Sequence, residues 1–536
     1  MRHSHPGDRL TAEDAVFLYL ETNETPLHIG SVSIFDGPIP FEACVEYIAS
    51  RLPLIPRYRQ RIVIPPFHFG HPTWQEDPEF DIRNHVHRVV LKRGTESELR
   101  AFAGKLFSQI MDRSRPLWDM VIVDGLNGGR SALISRVHHC LVDGVSGVGL
   151  MNIVLDPALQ AESGKRKARH APPLPGPGAS LADALARSVS EMVERVLSAQ
   201  SAALDLAQAL AGNGLGRGLE QLIRQVPEIT GPVQPLPFNQ PCSGPRNVAW
   251  TEIPMGEVKA IREKIGGTLN DVVLTVVTTA VRRYVEQHGV SVRGRLLRLM
   301  VPVNLRREGP DNGLGNRVSL LPVSVPLDVR DPRKLLNTIR QRTEALKSTR
   351  VADLIHLLAT WMGMTPVPVQ AAMGPLASLL AVSPFHMVCT NVPGPQVPLY
   401  ALGRKMLTYH PYVPIGGQMG LCCAIQSYNQ TLFVGLTADA RAVPDVGRVK
   451  RFMDEAFREL CERAGVEVKK ARSRKQPVVQ AVAAEGKPEL RPRRATKIQR
   501  PALNGKAEPG ATEEGLEPWI GAKRVAREAP LAAAGD

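Results

Sequence analysis

Residues 138–144 read His-His-Cys-Leu-Val-Asp-Gly, a stretch whose residue types and spacing could do acid–base chemistry. Imidazole is the one side chain whose unperturbed pKa lets it take up a proton near neutral pH and return it within the same cycle. Adjacent histidines on extended backbone point to opposite faces, so only one can look into a given cavity, and His139 is the candidate general base and acid. His138 then supports the loop. Asp143, beside Gly144, can either orient the imidazole or pin the loop through an arginine; the second role is favoured, with Arg306 as one candidate partner. A lone His and Asp four residues apart usually mark a solvated loop, but the doubled histidine and the trailing glycine set this instance apart. Cys140 faces away from the base on an extended chain, and Gly144-Val145-Ser146-Gly147 lacks the spacing of a G-x-S-x-G nucleophile elbow. The chemistry indicated is direct proton transfer, with no covalent intermediate required.

The flanking sequence predicts how these residues are held. Residues 132–137 alternate as a half-buried strand ending at the histidines, 118–124 form a second strand, and Leu126-Asn127-Gly128-Gly129 has hairpin turn chemistry. Gly144 breaks the strand, and 145–154 read as a buried helix. Upstream, Thr11 caps a helix over 11–20 with Glu13 and Asp14 in its first turn, followed by a strand over 29–35 and helices over 41–52 and 95–110. His85 and His87 alternate in a short extended run with no third or fourth ligand nearby, and are expected to be surface histidines rather than metal ligands. In the second half a helix over 257–264 stops at Gly266-Gly267, and Thr268 caps another that begins Leu269-Asn270-Asp271. Thr268 and Asp271 have capping-box spacing, so Asp271 can simply cap. Strands follow over 296–303 and 318–325 with Asn304, Arg306, Asn316 and Arg317 in the loop between them, then a hairpin over 421–428 and 431–437 and a helix over 446–464. The order of elements predicts mixed sheets covered by helices, an α/β class.

The motif resembles the HHxxxDG of the CoA-dependent acyltransferase superfamily, which includes chloramphenicol acetyltransferase, peptide-synthetase condensation domains and the bacterial wax ester synthase/diacylglycerol acyltransferases. Other segments are similar to the last of these. Pro116-Leu117-Trp118 matches its PLW motif and Asn270-Asp271 its ND motif, while 10–37, 56–61, 314–317 and 390–395 also resemble family segments, so the likeness spans about residues 10–463. The resemblance implies two chloramphenicol-acetyltransferase-like domains with the active site in a tunnel between them. It implies acyl transfer from a fatty acyl-CoA co-substrate to a long-chain alcohol or diacylglycerol, with no bound cofactor and no metal. It places Asn270, and with it Asp271, where a side chain could meet the thioester oxygen or the acceptor, leaving cap and active-site roles both open. Pro116, Leu117 and Trp118 are expected to be structural, with Trp118 a packed anchor.

Composition sets the outer bounds. With 536 residues, two or three domains are affordable: 1–158 carrying HHxxxDG, a proline-rich and helical connector over 159–245, 246–468 carrying the ND motif, and a basic tail over 469–536 predicted to be disordered. The tail holds fifteen Lys/Arg and eight Asp/Glu, so +7 of the net charge of +14 lies there. Trp519 is its one aromatic residue and it has no nucleic-acid motif, so nucleic acid is not expected as a partner. Anionic lipid fits that charge equally well, and peripheral contact with a membrane or lipid droplet is compatible with it. Residues 1–8 are polar and no run reaches about eighteen uninterrupted apolar residues, so a cytoplasmic protein, peripheral at most to the inner membrane or lipid inclusions, is expected. Seven scattered cysteines without a C-x-x-C pair argue against a disulfide framework and a zinc site. Residues 354–403 carry no Lys, Arg, Asp or Glu but seven prolines, which rules out one spanning helix and leaves buried core, a tunnel lining or a lipid-facing surface. Two other readings stay open: a non-catalytic lipid-binding or droplet-associated protein, and a condensation-type amide-forming acyltransferase.

Overall fold

The computed structural model describes residues 9–65, 71–141, 154–157, 233–304, 318–348, 383 and 385–467. Residues 1–470 form one compact unit, and the expected connector helices, the loop holding Arg306, Asn316 and Arg317, most of the charge-free run and the tail lie outside the described residues. The first half supplies α1 (Ala12–Leu20), β1 (His28–Phe35), α2 (Phe41–Arg51), β2 (Gln60–Val63), β3 (Thr73–Glu76), β4 (Val86–Val90), α3 (Glu96–Phe107), β5 (Trp118–Leu126) and β6 (Arg130–His138). The second supplies β7 (Arg246–Pro254), α4 (Met255–Ile265), α5 (Leu269–Gln287), β8 (Leu296–Asn304), β9 (Val318–Pro326) and α6 (Pro332–Ser348). It continues with β10 (Met387–Val392), β11 (Tyr400–Ala401), β12 (Arg404–Tyr412), β13 (Leu421–Tyr428), β14 (Thr431–Asp439) and α7 (Val446–Ala464).

Two six-stranded sheets organise these elements, in the orders β11-β12-β1-β6-β5-β4 and β7-β14-β13-β10-β8-β9. Both are mixed, since β4 runs parallel to β5 and β10 parallel to β8 and β13 while the other neighbours are antiparallel. The expected hairpin is β5–β6, and its period of two is what divides the core. Met120, Ile122, Leu133 and Val137 enter one apolar cluster, while Val121, Val123, Ala132 and Ile134 enter another on the opposite face. Neither face of this hairpin is left to water, so its strands are more buried than simple alternation suggests.

The two halves of the chain interlock. β11 and β12 come from the second half of the chain yet complete the first sheet, with β12 paired to β1 from Gly30–Tyr412 onward. Where β12 crosses β14 the backbones nearly touch: a Cβ on Gly435 would lie 1.8 Å from the Pro411 carbonyl oxygen. On the other side α3 rests on β7 through Gly104, where a Cβ would lie 2.5 Å from the Arg246 carbonyl. Arg246, its side chain fully buried, ties the halves together by donating to the Gly244 and Glu24 carbonyls and facing Asp439 at 3.4 Å. A cavity of about 10 Å³, room for one water, sits at this seam among Phe107, Trp250, His410 and Gly435.

His85 departs from the sequence expectation. It is buried rather than on the surface, stacked on Trp118 at 4.7 Å with Nδ1–H donating to the Trp118 carbonyl, because β4 packs its start against the head of β5.

Candidate active site

The hairpin delivers the two histidines to different environments. His138 is the last residue of β6, wholly buried, and its N–H donates to the Leu117 carbonyl at 2.9 Å. His139 starts a single turn of 3-10 helix (His139–Leu141) and is half-buried. The change of backbone conformation between them, together with the side-chain alternation, turns one ring into the core and leaves the other half-buried. Leu117 and Trp118 anchor the platform: both are buried, and Trp118 donates Nε1–H to the Tyr58 carbonyl at 2.8 Å. Pro116 is buried beside them.

The His139 ring lies flat against Phe17, centroids 3.9 Å apart and planes inclined by 12°. Its backbone N–H donates to the Leu27 carbonyl at 2.9 Å. His138 Nδ1 meets the Cys140 N–H at 3.2 Å and the Cys140 thiol at 2.9 Å, and its Nε2 stands 3.3 Å from Glu21 Oε1, close enough to pair but short of a well-aligned hydrogen bond. Glu21 follows α1 directly; its carboxylate also accepts the Leu27 N–H at 2.9 Å and Arg113 at 3.0 Å. Burial pushes the Glu21 carboxyl up, but His138, Leu27 and Arg113 together outweigh it and hold it below its ordinary value. Burial drives the Cys140 thiol well above its ordinary value, which disfavours the thiolate that a nucleophile needs.

Glu21, Phe17 and Arg113 were not singled out from sequence. Phe17 lies on α1 and Glu21 just past its end, four residues on, a spacing that in a sequence ordinarily signals packing, and nothing local marks Glu21 as buried. Asp143 and Gly144 lie outside the described residues.

Asn270 and Asp271 open α5 in a second set of contacts. Asp271 is buried and forms the full capping box: Oδ2 accepts the Thr268 N–H at 2.7 Å and hydroxyl at 2.8 Å, and Thr268 Oγ1 accepts the Asp271 N–H. Its other oxygen accepts from Thr343 of α6 at 2.8 Å. Asn270 is half-buried, and its Oδ1 accepts from Asn391 at 3.3 Å, leaving its NH2 as the part that could meet an oxygen. Two segments far apart in the chain, 268–271 and 390–395, thereby meet.

No group of three or more His, Cys, Asp or Glu that could hold a metal occurs among the described residues, and no helix there is long and apolar enough to cross a membrane. A cavity at the other end of α5, of about 440 Å³, is lined by Glu286, Arg293, Asp328 and Arg330 and shares no residue with the histidine site.

Residues 10–273 match the family model of the wax ester synthase/diacylglycerol acyltransferase catalytic domain, and 314–461 that of the family's C-terminal domain. A protein of Mycobacterium tuberculosis named a putative diacylglycerol O-acyltransferase is 30% identical over 476 residues, covering 85% of this chain and 90% of its own length. Another from the same species, the probable diacylglycerol O-acyltransferase tgs1, is 29% identical over 468 residues, covering 84% and 96%. Among solved structures, the wax ester synthase/diacylglycerol acyltransferase from Marinobacter aquaeolei VT8 superposes with a TM-score of 0.59 at 24% identity, over 85% of this chain and all of the other. The first condensation domain of the calcium-dependent antibiotic synthetase reaches 0.53 at 16% identity, over 85% and 96%, a likeness of fold.

Proposed function

The chain belongs to the wax ester synthase/diacylglycerol acyltransferase family, and from that premise we propose that it is an O-acyltransferase. It moves a fatty acyl group from acyl-CoA to a long-chain alcohol, giving a wax ester, or to a diacylglycerol, giving a triacylglycerol. The observation that carries the reading is His139: at the end of a rigid hairpin, half-buried, with its ring plane set by Phe17. In this reading His139 takes the proton of the acceptor hydroxyl as its oxygen attacks the thioester carbon. The tetrahedral centre then collapses, the C–S bond breaks, and the same imidazole returns the proton to the departing CoA thiolate. The protonated Cys140 argues for this direct route over a thiol intermediate. Asn270 is the candidate donor to the thioester oxygen, Asp271 holds the helix start on which it stands, and Asp143 pins the loop.

Residues 1–158 and 246–468 supply the two halves in this reading, 159–245 connects them, and the acyl chains lie in an apolar channel between the halves that the charge-free run 354–403 helps to line. The basic stretch 469–536 is a contact for anionic lipid at a membrane or inclusion surface. The amide-forming and non-catalytic alternatives draw no support from the family match.

Thiol release from palmitoyl-CoA with hexadecanol or diolein, for wild type and His139→Ala, tests the assignment. General-base catalysis contributes about 100- to 10,000-fold, and a loss of that size is expected in the variant. Equal release by both proteins with every acceptor would overturn it.

A further inference from the structure

The geometry points to Glu21 as a positioning residue for this reaction, acting on His139 through His138; the inference rests on the proposed acyl transfer. Cys140 N–H is a fixed donor aimed at His138 Nδ1. That nitrogen must therefore carry a lone pair, and the one ring proton of neutral His138 sits on Nε2, facing Glu21 Oε1 at 3.3 Å. A carboxylate beside Nε2 favours the same tautomer. Glu21 thus fixes which nitrogen of His138 accepts, His138 holds the Cys140 amide, and the Cys140 amide sets the turn that begins at His139. Around this chain of contacts Leu27 acts twice, donating to Glu21 and accepting from the His139 N–H. Phe17, on α1 four residues before Glu21, fixes the plane of the His139 ring. The end of α1 and the residue that follows it therefore align both histidines, and Arg113 secures this segment by donating to the Leu18 carbonyl as well as to Glu21.

The arrangement is more than core packing because both contacts of His138 are specific to one nitrogen each. Asparagine places an oxygen near the Nδ1 position and can still accept the Cys140 N–H, whereas glutamine places its amide near Nε2 and cannot. Glu21→Gln keeps an oxygen at the Oε1 position, which faces both Leu27 N–H and His138 Nε2, but removes the charge beside Nε2 and turns an NH2 toward Arg113.

The experiment measures kcat and the KM for palmitoyl-CoA, with thermal melting, on wild type, Glu21→Gln, His138→Asn, His138→Gln and the double variant Glu21→Gln/His138→Asn. Misplacing a catalytic group by about 1 Å can cost on the order of 100-fold, so Glu21→Gln is expected to lower kcat by about 10- to 100-fold with KM little changed. His138→Asn should keep at least about tenfold more kcat than His138→Gln, and adding Glu21→Gln to it should cost much less than Glu21→Gln costs alone, since the variant keeps an oxygen for Leu27 and the remaining influence of Glu21 runs through the ring. Wild-type kcat in Glu21→Gln overturns the inference while leaving the acyltransferase reading intact, provided His139→Ala is inactive. A further full loss in the double variant also overturns it, as does equal kcat in the two His138 variants. Should Glu21→Gln not fold, the comparison of His138→Asn with His138→Gln decides alone. Absence of turnover in wild type with every acceptor sinks the acyltransferase reading itself.

Discussion

Asn270 and Asp271 are adjacent on one helical turn, yet their surroundings assign them different work. Both carboxylate oxygens of Asp271 are committed to Thr268 or Thr343, so its removal strikes the start of α5 and leaves the Thr343 hydroxyl with the Arg340 carbonyl alone. Asp271→Ala is therefore expected to cost about 2–3 kcal/mol of stability, read as a lower melting temperature or denaturant midpoint. Asn270 gives up one contact to Asn391 and is only half-buried. Asn270→Ala should leave the melting temperature nearly unchanged while lowering kcat/KM by about 10- to 100-fold if its NH2 meets the thioester oxygen; unchanged kcat/KM would remove it from the site. The sequence motif could not separate the two residues, because a cap and an active-site position begin with the same letters. Cap geometry separates them.

At the scale of elements, the seam between the sheets is set by where backbone meets backbone. β12 can complete the first sheet only because Gly435 lets its Pro411 carbonyl approach β14, and α3 reaches β7 only over Gly104. Gly435→Ala puts a methyl group into occupied backbone rather than against a flexible side chain. A loss of about 3 kcal/mol or more is expected, at the upper end of overpacking effects, with a fall of several degrees in melting temperature. A melting temperature equal to wild type would mean that the strands can slide apart at no cost. None of this was legible in the chain. No strand was expected over 404–412, and the partner of β12, β1, lies more than 360 residues earlier, as the Asp36–Lys405 contact shows with a separation of 369.

At the scale of the whole molecule, buried histidines and carboxylates make stability depend on pH. Burial lowers the pKa of His410, stacked on Trp250, from 6.5 to about 3, and that of His87 to about 4; His28, fully buried beside Arg136 and Arg246, is lowered as well. Such histidines stay neutral in the fold but ionise near 6.5 once unfolded, so unfolding takes up protons as pH falls below that value. Stability then declines by up to about 1.4 kcal/mol per pH unit for each histidine until its folded pKa is reached. Glu21 and Asp439 have the familiar carboxylate sign: their lowered pKa values contribute stability above the unfolded value and lose it as pH falls through the folded one. Unfolding midpoints between pH 7 and 4 should fall steadily, and His410→Phe, which keeps the stack on Trp250, should flatten that slope by about one proton's worth. An identical slope in the variant would show that His410 already ionises within the fold.

The sequence by itself determined the local elements around the histidines: the β5–β6 hairpin from its alternation and glycine turn, α1 and α5 from their threonine caps, and the class of sheet from the order of elements. These are legible because propensity, period and capping act over a few neighbouring residues. Tertiary structure alone decided that β12 joins the first sheet, that His85 is core, and that Glu21 and Phe17 reach across to the two histidines. Each of these depends on which surfaces meet after the chain has folded back over tens to hundreds of residues, and a buried glutamate is written with the same letter as a solvated one.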